Sequence, residues 1–94
     1  MVHGYEIIER NWRTKGGELD LVVRSGQLVA FVEVKTRASD AYGDPALAVT
    51  VSKQRRLRRL AASWLAASGH HGVEVRFDVV SVLGVHVRVI EAAF

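Results

Sequence analysis

The fold is decided by residues 16–37, which read GGELDLVVRSGQLVAFVEVKTR. Two runs rich in Val, Leu and Phe flank a short turn at residues 25–28, and this arrangement predicts a β-hairpin. Gly26 stands at the first central position of a two-residue loop, which suits a type II′ turn. The second run is apolar on both faces, as is typical of a central strand covered on each side.

Acidic side chains lie at the end of the hairpin away from its turn. A two-residue turn places Asp20 opposite Glu33, with Leu19 on the other face of the sheet. Like charges directly opposed, with Cβ atoms roughly 5 Å apart, are destabilising. A divalent cation would supply a counter-charge, since Mg²⁺ is commonly held by one or two carboxylates. The alternative is a solvated strand end with an ion pair between Glu18 and Lys35, which the same register also places opposite one another.

Length and composition indicate one small globular domain over residues 1–94. Hydrophobic residues make up 49% of the chain, and the formal net charge is +3. Such a content of apolar residues excludes a disordered polypeptide. The absence of Cys excludes disulfides and thiolate metal sites. With no apolar run of membrane-spanning length and no signal-peptide pattern, we expect a cytoplasmic protein without a membrane partner.

A helix is predicted after the hairpin, with Ser52 as its N-cap and Gly69 at its end. Apolar residues recur at helical spacing, at Leu57, Leu60, Ala61, Trp64 and Leu65. Three residues before Leu57, Gln54 continues this core-facing stripe. An amide in that position would hydrogen-bond to something there, so Gln54 is a candidate for orienting the site. The alternative is an exposed glutamine in the first helical turn.

The start of this helix is strongly basic. Five cations lie within seven residues, namely Lys53, Arg55, Arg56, Arg58 and Arg59. No acidic residues are interleaved with them, and the helix dipole disfavours positive charge at this end. A phosphate partner explains the cluster, with recognition of backbone and shape rather than base sequence. Arg37 is a further candidate for DNA contact, and Tyr42, in a loop over residues 38–45, is a candidate for stacking on a base.

Three further strands are predicted, over residues 5–11, 73–83 and 85–90, with a turn over 13–17. In the second of them, Asp78 is expected to pair with Arg76 or Arg88. The order strand, hairpin, helix, strand, strand predicts an α/β domain with a mixed sheet and at least one covering helix.

Several motifs carry a family resemblance. The order Glu18-Leu19-Asp20 and then Glu33-Val34-Lys35 resembles the D-(x)n-E-x-K core of the PD-(D/E)XK nuclease superfamily. The wider series resembles the bacterial YraN (UPF0102) family, which is similar to archaeal Holliday-junction resolvases. That series is NWR at 11–13, GELDL at 17–21, FVEVKTR at 31–37, YGDP at 42–45, KQRRL at 53–57 and RFDVV at 76–80.

The resemblance implies a restriction-endonuclease-like core whose hairpin carries the site. It implies metal-dependent phosphodiester hydrolysis in branched or structured DNA, with Mg²⁺ or Mn²⁺ held by Asp20, Glu33 and the backbone carbonyl of Val34. Lys35 would orient or help deprotonate the attacking water. Glu18 would be either a further ligand or a partner of Lys35.

The resemblance also marks a departure. Members of that family usually begin with a helix that carries a Gly-Glu pair ahead of the Gly-Tyr found here as Gly4-Tyr5. Without this helix we expect one acidic ligand to be missing and an apolar face to be uncovered, which favours a homodimer. The alternative functions are a nucleic-acid-binding protein that keeps the nuclease fold without cleaving, and a structural partner in a DNA-processing assembly.

Overall fold

A computed structural model of the chain describes residues 4–37 and 49–94. These residues form five strands and one helix, which are β1 (Glu6–Thr14), β2 (Gly17–Ser25), β3 (Leu28–Arg37), α1 (Val51–Ser68), β4 (Glu74–Leu83) and β5 (His86–Ile90). The α/β class and the order of elements predicted from sequence are confirmed. The loop predicted over residues 38–45, with Tyr42, lies outside the described residues.

All five strands form one mixed sheet in the order β1-β2-β3-β4-β5. The β1–β2, β2–β3 and β4–β5 pairs are antiparallel, whereas β3 and β4 are parallel. A parallel pair requires a crossover connection, and α1 lies within it. The sheet therefore has β3 at its centre, as its apolar sequence predicts.

The β2–β3 hairpin has the predicted two-residue turn. Ser25 pairs with Leu28, and the ladder continues in the same register to Leu21 and Val32. Gly26 has φ +58°, which the first central position of a type II′ turn requires.

The first strand is longer than predicted. The sequence indicated a strand over residues 5–11 and a turn over 13–17, but β1 pairs with β2 as far as Thr14 and Gly17. Arg13 lies opposite Glu18, and its Nε is 3.2 Å from Glu18 Oε2. This cross-strand ion pair supports the extension of the ladder through residues that read as a turn.

The main core lies between α1 and one face of the sheet. The helix contributes the predicted stripe of buried residues, Leu57, Leu60, Ala61 and Trp64. The sheet contributes buried side chains from three strands, Val22, Val29, Phe31, Phe77 and Val79. Trp64 meets the ring of Phe31 edge-on at 5.8 Å between centroids and donates its indole N–H to Glu9 Oε1 at 3.1 Å. These contacts hold the C-terminal half of α1 against β3 and β1.

The opposite face of the sheet is not covered by a helix within residues 4–37 and 49–94. Val23, Ala30 and Val32 form a second buried cluster there. A groove of about 730 Å³ lies over this face, and its lining includes Tyr5 and Leu21. The prediction of a central strand covered on both sides therefore holds fully only for the face under α1.

The helix begins two residues earlier than predicted. Thr50 is the N-cap, because its hydroxyl accepts a hydrogen bond from the backbone N–H of Lys53 at 3.2 Å. Ser52, the predicted cap, lies within the first turn. Gly69 ends the helix with φ +74°, as predicted. Among the described residues, no helix is long and apolar enough to cross a membrane.

Candidate functional site

The site lies where β2 and β3 separate. The last pair of their ladder is Leu21 and Val32, one residue short of the two acids. Beyond it, Asp20 Oδ2 accepts the backbone N–H of Val34 at 2.9 Å. The Asp20 carboxylate thus accepts a backbone N–H that would otherwise be available to a neighbouring strand. Asp20 and Glu33 line the same small cavity beneath α1.

The alternation of side chains between the two faces of β2 is broken next to Asp20. Leu19 is 2% exposed and belongs to the same core cluster as Val22, three residues further along β2. Strict alternation would put these two side chains on opposite faces. Leu19 was predicted to lie on the face of the sheet opposite Asp20, and that prediction is wrong, because both residues line the small cavity beneath α1.

The neighbouring strand shows the same irregularity at the same level of the sheet. Arg10 pairs with Leu21, and Trp12 pairs with Leu19, so Asn11 is opposite Asp20. Asn11 has φ +50°, a left-handed conformation that asparagine tolerates better than most residues. The irregular backbone of β1 at Asn11 is therefore at the same level as the break in alternation in β2 that places Leu19 in the core.

Glu33 is a buried carboxylate with two lysines beside it. Its side chain is 8% exposed, and its Oε1 lies 3.0 Å from Lys53 Nζ and 3.8 Å from Lys35 Nζ. Isolated buried carboxylates are strongly disfavoured, so these ammonium groups supply the required counter-charge. The shorter contact comes from α1, and the longer one comes from β3 itself.

The two lysines differ in their affinity for a proton. The hydrogen bond with Lys53 lowers the pKa of Lys35, and burial and repulsion from the Lys53 charge lower it further. For Lys53, burial acts to lower the pKa, but hydrogen bonds with Lys35 and Glu33, together with the charges of Glu33 and Asp20, raise it overall. Lys53 is therefore the more firmly protonated partner of Glu33.

The other predicted ligand and the predicted orienting residue have partners outside the acidic pair. Glu18 pairs with Arg13 at 3.2 Å, which corrects the predicted pairing with Lys35. The half-buried Gln54 donates from Nε2 to the carbonyl of Val49 at 3.0 Å, just ahead of the helix. Among the residues that the structure describes, no group of three or more His, Asp or Glu is placed to hold a metal ion.

The five cations of the predicted basic cluster differ in their contacts. Lys53 points to Glu33, and the guanidinium carbon of Arg58 lies 4.9 Å from the centroid of the Phe77 ring. The exposed cations of the cluster are Arg55, Arg56, Arg58 and Arg59, whereas Lys53 is half-buried. Arg37 ends β3, and Tyr42 is outside the described residues. Lys53 therefore faces the sheet, whereas the arginines are exposed and Arg58 also lies over an aromatic ring.

Lys53 was predicted as a phosphate contact, and its place beside Glu33 was missed. A sequence signal for it exists, because Lys53 precedes the buried Leu57 by four residues. Positions i and i+4 share one face of a helix, so Lys53 continues the buried stripe as surely as Gln54 does at three residues.

Asp78 pairs with Arg76, one of its two predicted partners, through Nε and Nη2 at 2.8 Å each. Both residues line the groove on the sheet face opposite α1. The hydrogen bonds that Arg76 donates to Asp78 and Tyr5 raise the pKa of Arg76 above its ordinary value, so the guanidinium stays charged. This pair is separate from the acids at the end of the hairpin.

Comparison with known proteins agrees with the motifs. The model of the uncharacterised protein family UPF0102 matches residues 1–82. A UPF0102 protein from Rhodococcus jostii is 56% identical over 80 residues, covering 85% of this chain and 68% of the relative. One from Beutenbergia cavernae is 61% identical with the same coverage. One from Geobacter metallireducens is 51% identical, covering 85% of this chain and 66% of the relative. The chain belongs to the UPF0102 family.

Proposed function

We propose that this chain is a metal-dependent nuclease of the PD-(D/E)XK type that hydrolyses phosphodiesters in branched or structured DNA. The observation that carries the proposal is the convergence of Asp20, Glu33 and Lys35 at one end of the β2–β3 hairpin. Asp20 contacts the Val34 backbone at 2.9 Å, and Lys35 Nζ lies 3.8 Å from Glu33 Oε1. The order of these residues is the one that the nuclease motif requires.

The donor groups fit a hard divalent cation. Asp20 and Glu33 offer carboxylate oxygens beside one cavity, and Mg²⁺ is commonly held by one or two carboxylates with water completing its shell. The N–H of Val34 points toward β2, and an extended residue directs its C=O to the same edge. We therefore assign Asp20, Glu33 and the Val34 carbonyl as the residues that would hold Mg²⁺ or Mn²⁺.

When bound, such an ion would lower the pKa of a water and offset charge that develops on the phosphate. The protein side chains have their own tasks. Lys35, whose pKa Lys53 lowers, would accept a proton from the attacking water or orient it. The exposed Arg55, Arg56 and Arg59 would hold the DNA backbone beside the site. A two-fold junction substrate would be matched by a homodimer.

A second function is favoured by one observation. Glu33 already has a counter-ion in Lys53 at 3.0 Å, and no third acid joins the two carboxylates within the described part of the chain. Both features suit a protein that binds DNA through this fold without cleaving it.

A cleavage assay separates the two functions. A labelled four-way junction and a linear duplex of the same sequence are incubated with the chain in Mg²⁺ and in Mn²⁺. Asp20→Asn and Glu33→Gln each remove one carboxylate charge with little change in shape. We expect junction cleavage by the unmodified chain and a loss of about a hundredfold or more in each variant.

Controls make the result specific. Arg24→Gln removes a charge at the turn end of the hairpin, where its Nε donates to the Gly26 carbonyl, and is expected to leave cleavage unchanged. The Beutenbergia cavernae relative is assayed in parallel. Salt-sensitive junction binding that persists in Asp20→Asn, without product from either protein, would replace the nuclease proposal with the non-catalytic one.

A further inference from the structure

Lys53 occupies an unusual position for a cation. It is the third residue of α1, and its backbone N–H is held by the Thr50 cap at 3.2 Å. The first turn of α1 contains no acidic residue, so the helix itself offers Lys53 no partner. Because the helix dipole repels positive charge at this end, the favourable contact for Lys53 is the carboxylate of Glu33.

Lys53 and a divalent ion would compete for the same ligand. Lys53 Nζ lies 3.0 Å from Glu33 Oε1, closer than Lys35 Nζ at 3.8 Å. A metal on this carboxylate would stand within a few ångströms of the ammonium group, and two cations at such separation repel one another strongly. Metal binding therefore requires that Lys53 move away from Glu33.

Lys53 is able to make that movement. Its side chain is 31% exposed, and lysine has a flexible four-carbon stem that ends in a compact charge. A phosphodiester beside the start of α1 would offer the ammonium a new anionic partner. Lys53 is thus suited to exchange Glu33 for a DNA phosphate.

We propose that Lys53 is the internal counter-ion of Glu33 in the metal-free protein and transfers to a DNA phosphate, so that DNA and divalent metal bind with positive coupling. Lys53 is a positioning residue, because it acts through Glu33. The inference rests on the proposed function, since it takes Glu33 as a metal ligand. By linkage, DNA raises metal affinity by the same factor by which metal raises DNA affinity.

The first measurement is Mn²⁺ binding to the DNA-free protein, followed by the electron paramagnetic resonance signal of free Mn²⁺. Lys53→Gln removes the competing charge, and we expect it to bind Mn²⁺ about tenfold more tightly than the unmodified chain. The control Arg24→Gln removes a charge at the other end of the hairpin and should stay within about twofold of the unmodified chain. Glu33→Gln tests whether the bound Mn²⁺ is at this site.

The second measurement is junction affinity by fluorescence anisotropy, in EDTA and in saturating Mn²⁺ at equal ionic strength. In the unmodified chain we expect Mn²⁺ to raise DNA affinity by about tenfold, and in Lys53→Gln by clearly less. Phosphorothioate linkages in the junction keep hydrolysis slow during the titration. The measurement on the unmodified chain needs no variant, so it tests the proposal even if Lys53→Gln folds poorly.

The outcomes separate the two proposals. Tighter Mn²⁺ binding in Lys53→Gln, together with coupling in the unmodified chain, supports the exchange. Mn²⁺ binding that depends on Glu33 but does not tighten in Lys53→Gln overturns the exchange and leaves the metal site standing. The absence of coupling in the unmodified chain likewise overturns the exchange. If no protein binds Mn²⁺ in a Glu33-dependent manner, the metal-dependent function fails and the exchange fails with it.

Discussion

Asp78 is a carboxylate whose contacts explain a structural role. It is 3% exposed, and its Oδ1 accepts both Arg76 Nε at 2.8 Å and the backbone N–H of Ala92 at 3.0 Å. Ala92 has φ +49°, and the next residue donates its N–H to the carbonyl of Phe77 at 2.8 Å. Asp78 therefore fastens the turn after β5 to β4. This attachment gives Asp78, which belongs to the RFDVV motif, a structural role and not a catalytic one.

Replacement of Asp78 is expected to destabilise the domain. Asp78→Asn leaves the charge of Arg76, which is 20% exposed, without its buried partner. Removal of one member of a buried pair lowers the free energy of unfolding by about 3 kcal/mol. The midpoint of urea denaturation at pH 7 measures this loss.

The matched control is Glu91→Gln. Glu91 lies 3.6 Å from the same arginine, but its side chain is 60% exposed. An exposed ion pair contributes about 0–1 kcal/mol, so Glu91→Gln should change the midpoint little. Equal losses in the two variants would show that burial of Asp78 does not decide its contribution.

At the scale of elements, α1 shows which features of a helix its sequence predicts and which it does not. Helical spacing predicts its buried residues correctly because one face must meet the sheet, and Gly69 marks its end. Its start was misplaced, since Thr50 and Ser52 are both good capping residues and local sequence does not choose between them. Thr50 is the cap because its hydroxyl, not that of Ser52, accepts the N–H of Lys53.

Alanine substitution of the two hydroxyl residues tests the cap. We expect Thr50→Ala to lower the free energy of unfolding by about 1 kcal/mol, because the N–H of Lys53 loses its acceptor. Ser52 lies inside the exposed first turn, so Ser52→Ala should change the free energy of unfolding by less than about 0.5 kcal/mol. Thermal denaturation by circular dichroism measures both, and a larger loss for Ser52→Ala would contradict the observed start of α1.

At the scale of the whole molecule, a net charge of +3 conceals an uneven distribution. Arg58 lies over Phe77 at 4.9 Å and over Phe94 at 5.6 Å, which places it at the C-terminal edge of the core. Arg55 and Arg59 are one helical turn apart and are exposed, as Arg58 is. Within the described part of the chain neither of these two arginines lies over an aromatic ring, so both are suited to meet a polyanion.

The salt dependence of DNA binding tests this distribution. Each phosphate contact contributes about 0.9 to the slope of log affinity against log salt concentration. We expect the double variant Arg55→Gln/Arg59→Gln to reduce that slope by about 2. Fluorescence anisotropy on a labelled junction over a range of KCl concentrations measures it. Arg58→Gln is the control with the same loss of charge per residue, and a slope reduced as much per residue would contradict the assignment of Arg58 to its aromatic contacts.

Local rules account for the hairpin. Its register follows from a two-residue turn with glycine at the position that needs φ above zero, and the central place of β3 follows from its apolar character. The register and the place of β3 both depend on residues that are close together in the sequence, so they can be predicted from it. The acids were brought to one end of the hairpin by these rules, and the family motifs added their chemical interpretation.

The contacts that define the site depend on packing between distant elements. The docking of α1 brings Lys53 to Glu33. A break in the alternation of β2, opposite the left-handed Asn11 of β1, places Leu19 in the core, and Asp20 accepts the backbone N–H of Val34. Alternation and helical spacing place a side chain on a face. They do not say which residue of another element that face will meet, because sheet twist and the seating of the helix settle this together.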